Sequence, residues 1–283
     1  MVATIPDGQH EIRRSPHVVD PENRHHILIS KKESFTNLFT ADCEYPNEHM
    51  SLDVETLAKY PMESDDWIVT VGIGGAMTLL SVLVIPMFVV MGYVVRALRA
   101  GMEGAEEPPV FDEWGDLLKE GVLASVIAFV YQLVPIIVFS VLVVGSLIPM
   151  ITGGEAGFGL GFIGIFAAFF AWWILSIVFG YVGFAAVANY AKEGSLGAGF
   201  DFGAIITVIT STDYMLAWAY VIVLNIVVGV FVSVLNIIPG LGLIAGAFLG
   251  FYALIIAGWL WGDGFASAIG ADAAAGTADA AAV

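Results

Sequence analysis

The sequence is poor in the residues from which catalytic and metal centres are usually built. It contains one cysteine, Cys43, which excludes an intrachain disulfide bond and a cysteine-ligated zinc site. All five histidines lie within the first 49 residues, and their scattered spacing does not supply a histidine metal site. Basic residues are scarce as well, at 10 against 27 acidic residues, so nothing basic neutralises nucleic-acid phosphates. These shortages argue against a metal centre and against a nucleic-acid partner.

Charge is also missing from long stretches of the chain. Charged residues make up 13% of the sequence, about half of the ~25% found in average soluble proteins, and 58% of residues are hydrophobic. No charged residue lies between Glu120 and Glu155, between Glu155 and Lys192, or between Asp213 and Asp263. Because a helix needs about 20 apolar residues to cross the hydrocarbon, the sequence predicts an all-α, polytopic transmembrane helical bundle.

About five spans are predicted in a transmembrane domain that covers residues 67–262. They lie near 67–95, 121–148, 160–191, 214–238 and 240–262. The first run has 29 uncharged residues, about 43 Å as one helix, so it must tilt or bend. Pro86 is the natural site of a bend. A single crossing is the main expectation, and a re-entrant hairpin at Pro86 is the alternative.

The segments outside the spans differ in composition. Residues 1–49 differ in composition from the rest of the chain, and we expect a disordered tail or sequence translated from a start codon set too early. Residues 50–66 form a polar, interfacial lead-in. Residues 263–283 are rich in alanine and glycine and are expected to be a flexible tail.

The lysines and arginines of the short loops predict the orientation, since such residues favour the cytoplasmic side. Four of them decide it: Arg96, Arg99, Lys119 and Lys192. They predict that 96–119 and 192–213 are cytoplasmic and that 149–160 is external. With five spans, the N-terminus would be outside and the C-terminus inside.

Two stretches resemble each other on the predicted cytoplasmic side. Gly92-Tyr93-Val94 leads to a Phe-Asp motif, and Gly180-Tyr181-Val182 leads to a second one. The motif residues are Phe111, Asp112, Trp114 and Gly115 in the first copy, and Phe200, Asp201 and Gly203 in the second. The pattern predicts a two-fold parallel repeat of span, cytoplasmic motif and span, followed by a final helix. Chance similarity between membrane segments is the alternative.

Several segments also carry a family resemblance. They are Lys59-Tyr60-Pro61, Ser64-Asp65-Asp66-Trp67, Gly72-Ile73-Gly74-Gly75, Gly92-Tyr93-Val94-Val95-Arg96-Ala97-Leu98-Arg99 and Pro108-Pro109-Val110-Phe111-Asp112-Glu113-Trp114-Gly115. Together they resemble an archaeal membrane family known as domain-of-unknown-function family 4013, which is abundant in halophilic archaea. The resemblance covers about residues 55–265 and implies a multi-pass membrane protein of a haloarchaeon. It implies no activity.

Polar side chains inside the spans are few, and none is ionisable. Carriers and intramembrane enzymes usually place ionisable residues at mid-membrane, so no catalytic, cofactor-binding or metal-binding residue is predicted. Gln132 and Asn225 lie at matching depths and are expected to hydrogen-bond to each other. If the protein were a channel, its path would be lined by Gln132, Asn189, Asn225 and Asn236.

Two further patterns are local. Gly242, Gly246 and Gly250 are four residues apart, a spacing that favours close approach of another helix. Asp112, Asp116 and Glu120 have helical spacing and predict a solvated acidic face, with a divalent-cation site as the weaker alternative.

The sequence therefore predicts a non-enzymatic structural or interaction protein in a haloarchaeal cell membrane. The acidic composition supports the halophilic assignment, because high salt screens repulsion between carboxylates. Expected partners are the lipid bilayer, a second copy, or the proteins of a membrane complex, with no cofactor. Near the surface, four apolar residues would enter the lipid interface: Phe111, Trp114, Leu117 and Leu118. The alternatives are a passive channel or facilitator for a small solute, or a membrane subunit of a larger transport complex.

Overall fold

The computed structural model describes residues 54–238 and 240–281, with side chains as far as Ala271. The chain divides into two units at Leu52, and the described residues belong to the second unit, Asp53–Val283. The expectation for residues 1–49 lies outside the described residues. Within them every regular element is helical, which confirms the all-α prediction.

The α-helices are numbered in chain order. They are α1 (Val54–Lys59), α2 (Trp67–Leu79), α3 (Ile85–Met102), α4 (Trp114–Thr152), α5 (Gly154–Glu193), α6 (Phe202–Thr210), α7 (Thr212–Leu235) and α8 (Leu241–Ala281). Short 3₁₀ helices lie at Tyr60–Met62, Leu80–Val82 and Leu196–Phe200.

Five of these helices are long and apolar enough to cross a membrane, namely α3, α4, α5, α7 and the part of α8 up to Ala271. This confirms, for the described residues, an all-helical chain with about five helices long and apolar enough to span a membrane. The helices α4 and α5 have 39 and 40 residues, so both are longer than the predicted spans 121–148 and 160–191. Most of the extra length of α4 precedes its predicted span, and so does most of that of α5.

The first apolar run is not one helix. The helix α2 ends at Leu79, the short helix Leu80–Val82 follows, and α3 begins at Ile85. Pro86 lies in the first turn of α3, where its missing N–H group costs no helical hydrogen bond. The proline therefore starts a new helix instead of bending an existing one.

The two ends of that run lie side by side. The Tyr60 hydroxyl, before α2, donates to the Glu107 carbonyl, after α3, at 3.3 Å. Both helices pack on α8. Gly75, near the C-terminal end of α2, lies beside Phe248, whereas Gly101, at the C-terminal end of α3, lies beside Trp259, further along α8. The helices α2 and α3 are thus an antiparallel hairpin. The first run is therefore not one continuous helix, and the re-entrant alternative fits the antiparallel packing of its two parts. The external N-terminus stays a prediction.

Two further antiparallel hairpins complete the bundle. In the first, α4 packs on α5 with the rings of Phe139 and Phe169 4.9 Å apart. In the second, α7 packs on α8, with Gly246 beside Val232. The turns of the three hairpins lie at one end of the bundle. The other end, here called the charged end, carries Arg96, Arg99, Glu120, Lys192 and Asp213.

The helix α3 is the centre of the bundle because its backbone touches two neighbours. A Cβ atom on Gly92 would overlap the Leu117 carbonyl oxygen of α4, and one on Gly121 of α4 would overlap the Phe88 carbonyl oxygen. On the opposite side, Gly101 and Gly262 give the same contact between α3 and α8. Absence of side chains at these points lets the helix axes approach closely.

The buried core lies mainly in the half of the bundle next to the charged end. Tyr93, Leu98 and Leu117 are fully buried there. In the other half, large apolar side chains of α4, α5 and α7 are exposed; examples are Val144, Phe166 and Val230. Apolar surface of this extent is expected where helices face lipid.

Two predicted segments differ from the structure. Residues 263–283 were expected to form a flexible tail, but α8 continues to Ala281, and Phe265 and Ala268 are buried. Alanine is the best helix former, and the two buried side chains fix the helix to the bundle. The predicted cytoplasmic loop 192–213 contains a further helix, α6.

Two of the three glycines in the stripe Gly242, Gly246 and Gly250 of α8 pack against other residues. Gly242 lies against the Asn236 side chain, and Gly246 lies 3.1 Å, measured from a built Cβ atom, from a methyl group of Val232. A Cβ atom on Gly250 would meet nothing within 4 Å. The stripe therefore packs α8 on the end of α7 but is not the site of closest approach in the bundle.

The contact between Gly92 and Gly121 can be tested by substitution. We expect Gly121→Ala to lower the free energy of unfolding by about 1–3 kcal/mol, because the added methyl group would overlap backbone atoms. Gly145→Ala, in the same helix with nothing within 4 Å, is the matched control. It should be neutral or stabilising by up to about 1 kcal/mol. Thermal unfolding in detergent measures both, and equal effects would contradict the contact.

The hairpin predicts which residues share a side of the membrane. In a Cys43→Ser background, a single cysteine is introduced at Asp65, Gly104 or Gly154, which are all exposed positions. An impermeant thiol reagent on intact cells should label Gly154→Cys and leave Asp65→Cys and Gly104→Cys unlabelled. Labelling of Asp65→Cys with protection of Gly104→Cys would mean that the first run crosses once.

Candidate functional site

The first Phe-Asp motif is held against α3 by an aromatic cluster. The Phe111 ring stacks on Tyr93 with centroids 4.7 Å apart, and Phe251 of α8 lies 5.7 Å from it. The Tyr93 hydroxyl donates to the Pro109 carbonyl at 2.8 Å. Trp114 stacks on the outer side of Phe111 at 5.7 Å. Through Phe111, the motif is thus packed against the core of the bundle.

Arg96 fixes the same segment by charge. Its side chain is 14% exposed, is paired with Asp112, and lies 3.7 Å from the Glu113 carboxylate. It also donates to the Val110 carbonyl at 3.5 Å. One arginine on α3 therefore contacts Val110, Asp112 and Glu113 in the connection before α4.

Glu113 has an unusual backbone conformation at this point. Its φ of 45° places it in the left-handed region, which no other non-glycine residue adopts in the part of the chain that the structure describes. Such a conformation costs of the order of 1 kcal/mol or more and persists only where its surroundings impose it. The docked aromatic ring on one side and the start of α4 on the other supply that constraint.

Arg99 connects three helices. Its guanidinium donates to Glu120 of α4 at 2.6 Å and to the Ala191 carbonyl of α5 at 2.8 Å. Both side chains of the ion pair are partly buried. The second carboxylate oxygen of Glu120 is buried without a hydrogen-bond partner. This ion pair joins the centre of the bundle to the α4–α5 hairpin.

The predicted acidic face does not form as one surface. Asp112 precedes α4 and therefore cannot share a helical face with Asp116 and Glu120. Asp112 and Glu120 are instead paired with separate arginines. Among the described residues, no group of three or more His, Cys, Asp or Glu side chains could hold a metal ion.

The second Phe-Asp motif is held in a different way. The Asp201 carboxylate caps α6 by accepting from the Gly203 and Ala204 amides at 3.0 and 3.3 Å. Phe200 stacks on Tyr131 at 6.1 Å, and the Tyr131 hydroxyl donates to the Gly199 carbonyl at 2.9 Å. One motif aspartate pairs with an arginine, and the other starts a helix.

The apolar residues of the first motif do not all face the lipid interface as predicted. Leu117 is fully buried, and Phe111 packs on the core cluster with Leu118. Trp114 is 45% exposed and remains available to the interface. The close contact at Gly92 explains the difference, because it draws the first turns of α4 onto α3. Gly115 has open space around it.

Gln132 and Asn225 do not meet. The Gln132 amide donates to the Ser176 carbonyl of α5 at 3.5 Å, and the Asn225 amide donates to the Val221 carbonyl of its own helix at 2.8 Å. The helix α4 packs on α3 and α5, whereas α7 packs on α8. The predicted hydrogen bond between the two repeats is therefore wrong.

The four amides proposed for a channel lie in separate places. Asn189 is buried at the charged end, where it donates to the Ala198 carbonyl at 2.9 Å. Asn236 lies at the opposite end and donates to the Val232 carbonyl at 3.1 Å. Gln132 lines a cavity of about 50 Å³ with Met91, Gly180 and Phe184. These side chains do not line one continuous path.

Two larger cavities open at the charged end. One of about 280 Å³ lies beside the two arginines and is lined by Lys119, Glu120 and Tyr190. The other, of about 500 Å³, lies between α5 and α6 and is lined by Asn189, Lys192, Asp201 and Thr207 among others. The lining of each cavity contains acidic and basic side chains, which can hydrogen-bond to polar groups.

Sequence reasoning used Arg96 and Arg99 to predict orientation and missed their structural role. Their spacing gave a partial signal, because residues 92, 93, 96 and 99 share a side of one helix. The Phe-Asp motif lies shortly after that helix. The partners themselves could not be read from the sequence, since Ala191 is 92 residues away from Arg99.

We expect Arg99→Gln to destabilise the protein by about 1–3 kcal/mol, because the guanidinium loses its hydrogen bonds to Glu120 of α4 and to the Ala191 carbonyl of α5. Glu120→Gln should cost less, and the double variant less than the sum, because the two share one interaction. Lys192→Gln is the control, since its ion pair is with the adjacent Glu193 at the surface. Thermal unfolding in detergent measures all four. Additive losses for Arg99 and Glu120 would contradict the shared ion pair.

Comparison with known proteins agrees with the resemblance in the sequence. A 157-residue part of the chain is 31% identical to the "Uncharacterized protein MJ1189" of Methanocaldococcus jannaschii, an alignment that covers 53% of this chain and 48% of that protein. The chain thus spans about half the length of this curated relative, whose archaeal source supports an archaeal origin. No solved structure matches. The family described as "Protein of unknown function (DUF4013)" matches residues 79–237, and the chain belongs to this family.

Proposed function

We propose that the protein is a non-enzymatic membrane scaffold, with a structural or interaction role in the cell membrane of a haloarchaeon. The observation that carries the proposal is the use of the motif side chains. Phe111, Asp112 and Asp201 are each engaged with a neighbouring helix or with the backbone. Arg96 and Arg99 are likewise engaged. These groups stabilise the bundle, which is the role expected of a scaffold.

The polar groups inside the spans support the same proposal. The side chains of Ser140, Asn225 and Ser233 each donate to the carbonyl four residues earlier in their own helix. A serine hydroxyl satisfied in this way can face lipid without an unpaired donor. The two serines therefore need no aqueous path and no partner helix, whereas the Asn225 amide satisfies one of its two N–H groups.

We also propose that the chain contains the two-fold parallel repeat. In its support, the tyrosines of the two Gly-Tyr-Val sequences have matching hydrogen bonds. Tyr93 donates to the Pro109 carbonyl and Tyr181 to the Ile209 carbonyl, each at 2.8 Å. Both acceptors lie in the connection to the next long helix. The two connections then differ, since one is fixed by Arg96 and the other contains α6.

The scaffold and the passive channel make different predictions for solute flux. Proteoliposomes that contain the protein should not swell faster than empty liposomes in isosmotic small neutral solutes. Gln132→Leu is the test variant, because Gln132 is the amide that lines a cavity inside the bundle. If the protein does cause swelling, and Gln132→Leu abolishes it without loss of thermal stability, the channel replaces the scaffold as the proposed function. Proteins that co-purify in native detergent would identify a larger membrane complex.

The halophilic assignment predicts stabilisation by salt. With 27 acidic and 10 basic residues, raising KCl from 0.1 to 3 M should raise the unfolding temperature, because salt screens carboxylate repulsion. Glu103, Glu106 and Glu107 are exposed neighbours at the charged end. Replacing all three with glutamine should reduce the salt dependence. An unfolding temperature that is unchanged or lower at 3 M KCl would contradict the assignment.

A further inference from the structure

The helix α6 has two faces with different surroundings. Ile205 and Val208 are buried against the bundle, at 1% and 0% exposure. Phe202 and Ile206, one turn apart on the other face, are 62% and 57% exposed. Thr210 continues this face, and its hydroxyl is satisfied by the Ile206 carbonyl at 2.8 Å. No charged residue lies between Asp201 and Asp213.

The position of α6 relates this face to the membrane. Each of the helices α6 and α7 has its own N-cap, Asp201 and Ser211, and Ser211 is the one residue between them. The chain thus passes from α6 directly into the span α7. Met215, in the first turn of that span, is already 57% exposed and apolar. The exposed face of α6 therefore continues the lipid-facing surface of α7 at the level of the charged end.

We propose that α6 is an interfacial helix whose exposed face, Phe202, Ile206 and Thr210, lies in the headgroup region of the bilayer that α7 crosses. The occupant of this face is lipid. The side chains of an interfacial helix enter the boundary of the acyl chains by about 5–10 Å. The helix has no basic residue, so its attachment depends on apolar burial and on its continuity with α7. This inference rests on the proposed membrane scaffold.

The second Phe-Asp motif would then have a role that the first does not share. The Asp201 cap fixes the start of α6 and so sets the direction in which Phe202 projects. In the first motif, Phe111 is occupied by contacts with Tyr93 and Phe251. The bundle would be anchored in the interface on the side of α6.

Electron paramagnetic resonance of spin labels tests the proposal. In a Cys43→Ser background, the full chain is labelled singly at Ile206, at Ile226 on α7 and at Glu103, all exposed positions. It is reconstituted into liposomes of archaeal diether phospholipids, and collisions with oxygen and with a water-soluble nickel chelate are measured. The label at Ile206 should favour oxygen, with a depth between those of Ile226 and Glu103.

Three results would overturn the proposal, and they are distinguishable. A label at Ile206 as accessible to nickel as Glu103, with Ile226 still in lipid, removes α6 from the interface and leaves the scaffold intact. Protection of Ile206 from both reagents shows that a protein covers this face. Nickel accessibility at Ile226 overturns the membrane span α7 itself, and with it the scaffold.

Discussion

Backbone contact between α3 and its two neighbours is the constraint on which the rest of the structure depends. Gly92 and Gly121 bring α3 against α4, and Gly101 and Gly262 bring it against α8. A single methyl group at any of these positions would overlap main-chain atoms. The short interaxial distance carries Arg99 within reach of Glu120 and of α5. It also places Tyr93 beside the ring of Phe111.

The bundle has a half with a packed core, next to the charged end, and a half with exposed apolar side chains, toward the hairpin turns. This division follows from the different surroundings of the two halves, water at one end and lipid at the other. Near the charged end, water and packed side chains surround the helices, so aromatic clusters and ion pairs hold them together. Toward the hairpin turns, lipid is as apolar as the side chains, and burial between helices gains little. The exposed valines and phenylalanines of α4, α5 and α7 are stable there without a protein neighbour. Stability is therefore concentrated in one half of the molecule.

The sequence predicted the helices better than it predicted their neighbours. Charge-free runs identify spans because a bilayer tolerates few charges, and four of the five predicted runs correspond to long helices. The first run forms two antiparallel helices, which its composition does not distinguish from one continuous helix. The alanine- and glycine-rich composition of residues 263–283 predicts a flexible tail, whereas the buried Phe265 and Ala268 hold this segment in α8.

The candidate site shows the same limit. Sequence similarity found both Phe-Asp motifs, but the different roles of Asp112 and Asp201 depend on whether an arginine lies near by in space. Gln132 and Asn225 were paired by their predicted depth, and depth does not fix which helices touch. The glycine stripe on α8 was visible as a spacing within one helix. The closer contacts pair single glycines on two helices, and no spacing in the sequence reveals such a pair.

The parallel contact between α3 and α8 can be measured directly by disulfide formation between Ala97→Cys and Gly258→Cys. A Cβ atom on Gly258 lies 2.6 Å from the Ala97 Cβ atom, and a disulfide needs about 3.8 Å, so a small separation of the helices suffices. Ser146→Cys with Gly164→Cys, built Cβ distance 2.9 Å, is the control within the α4–α5 hairpin. With Cys43 replaced by serine and oxidation in native membranes, mass spectrometry should find both linked peptides. A linked control pair without the 97–258 disulfide would contradict the central position of α3.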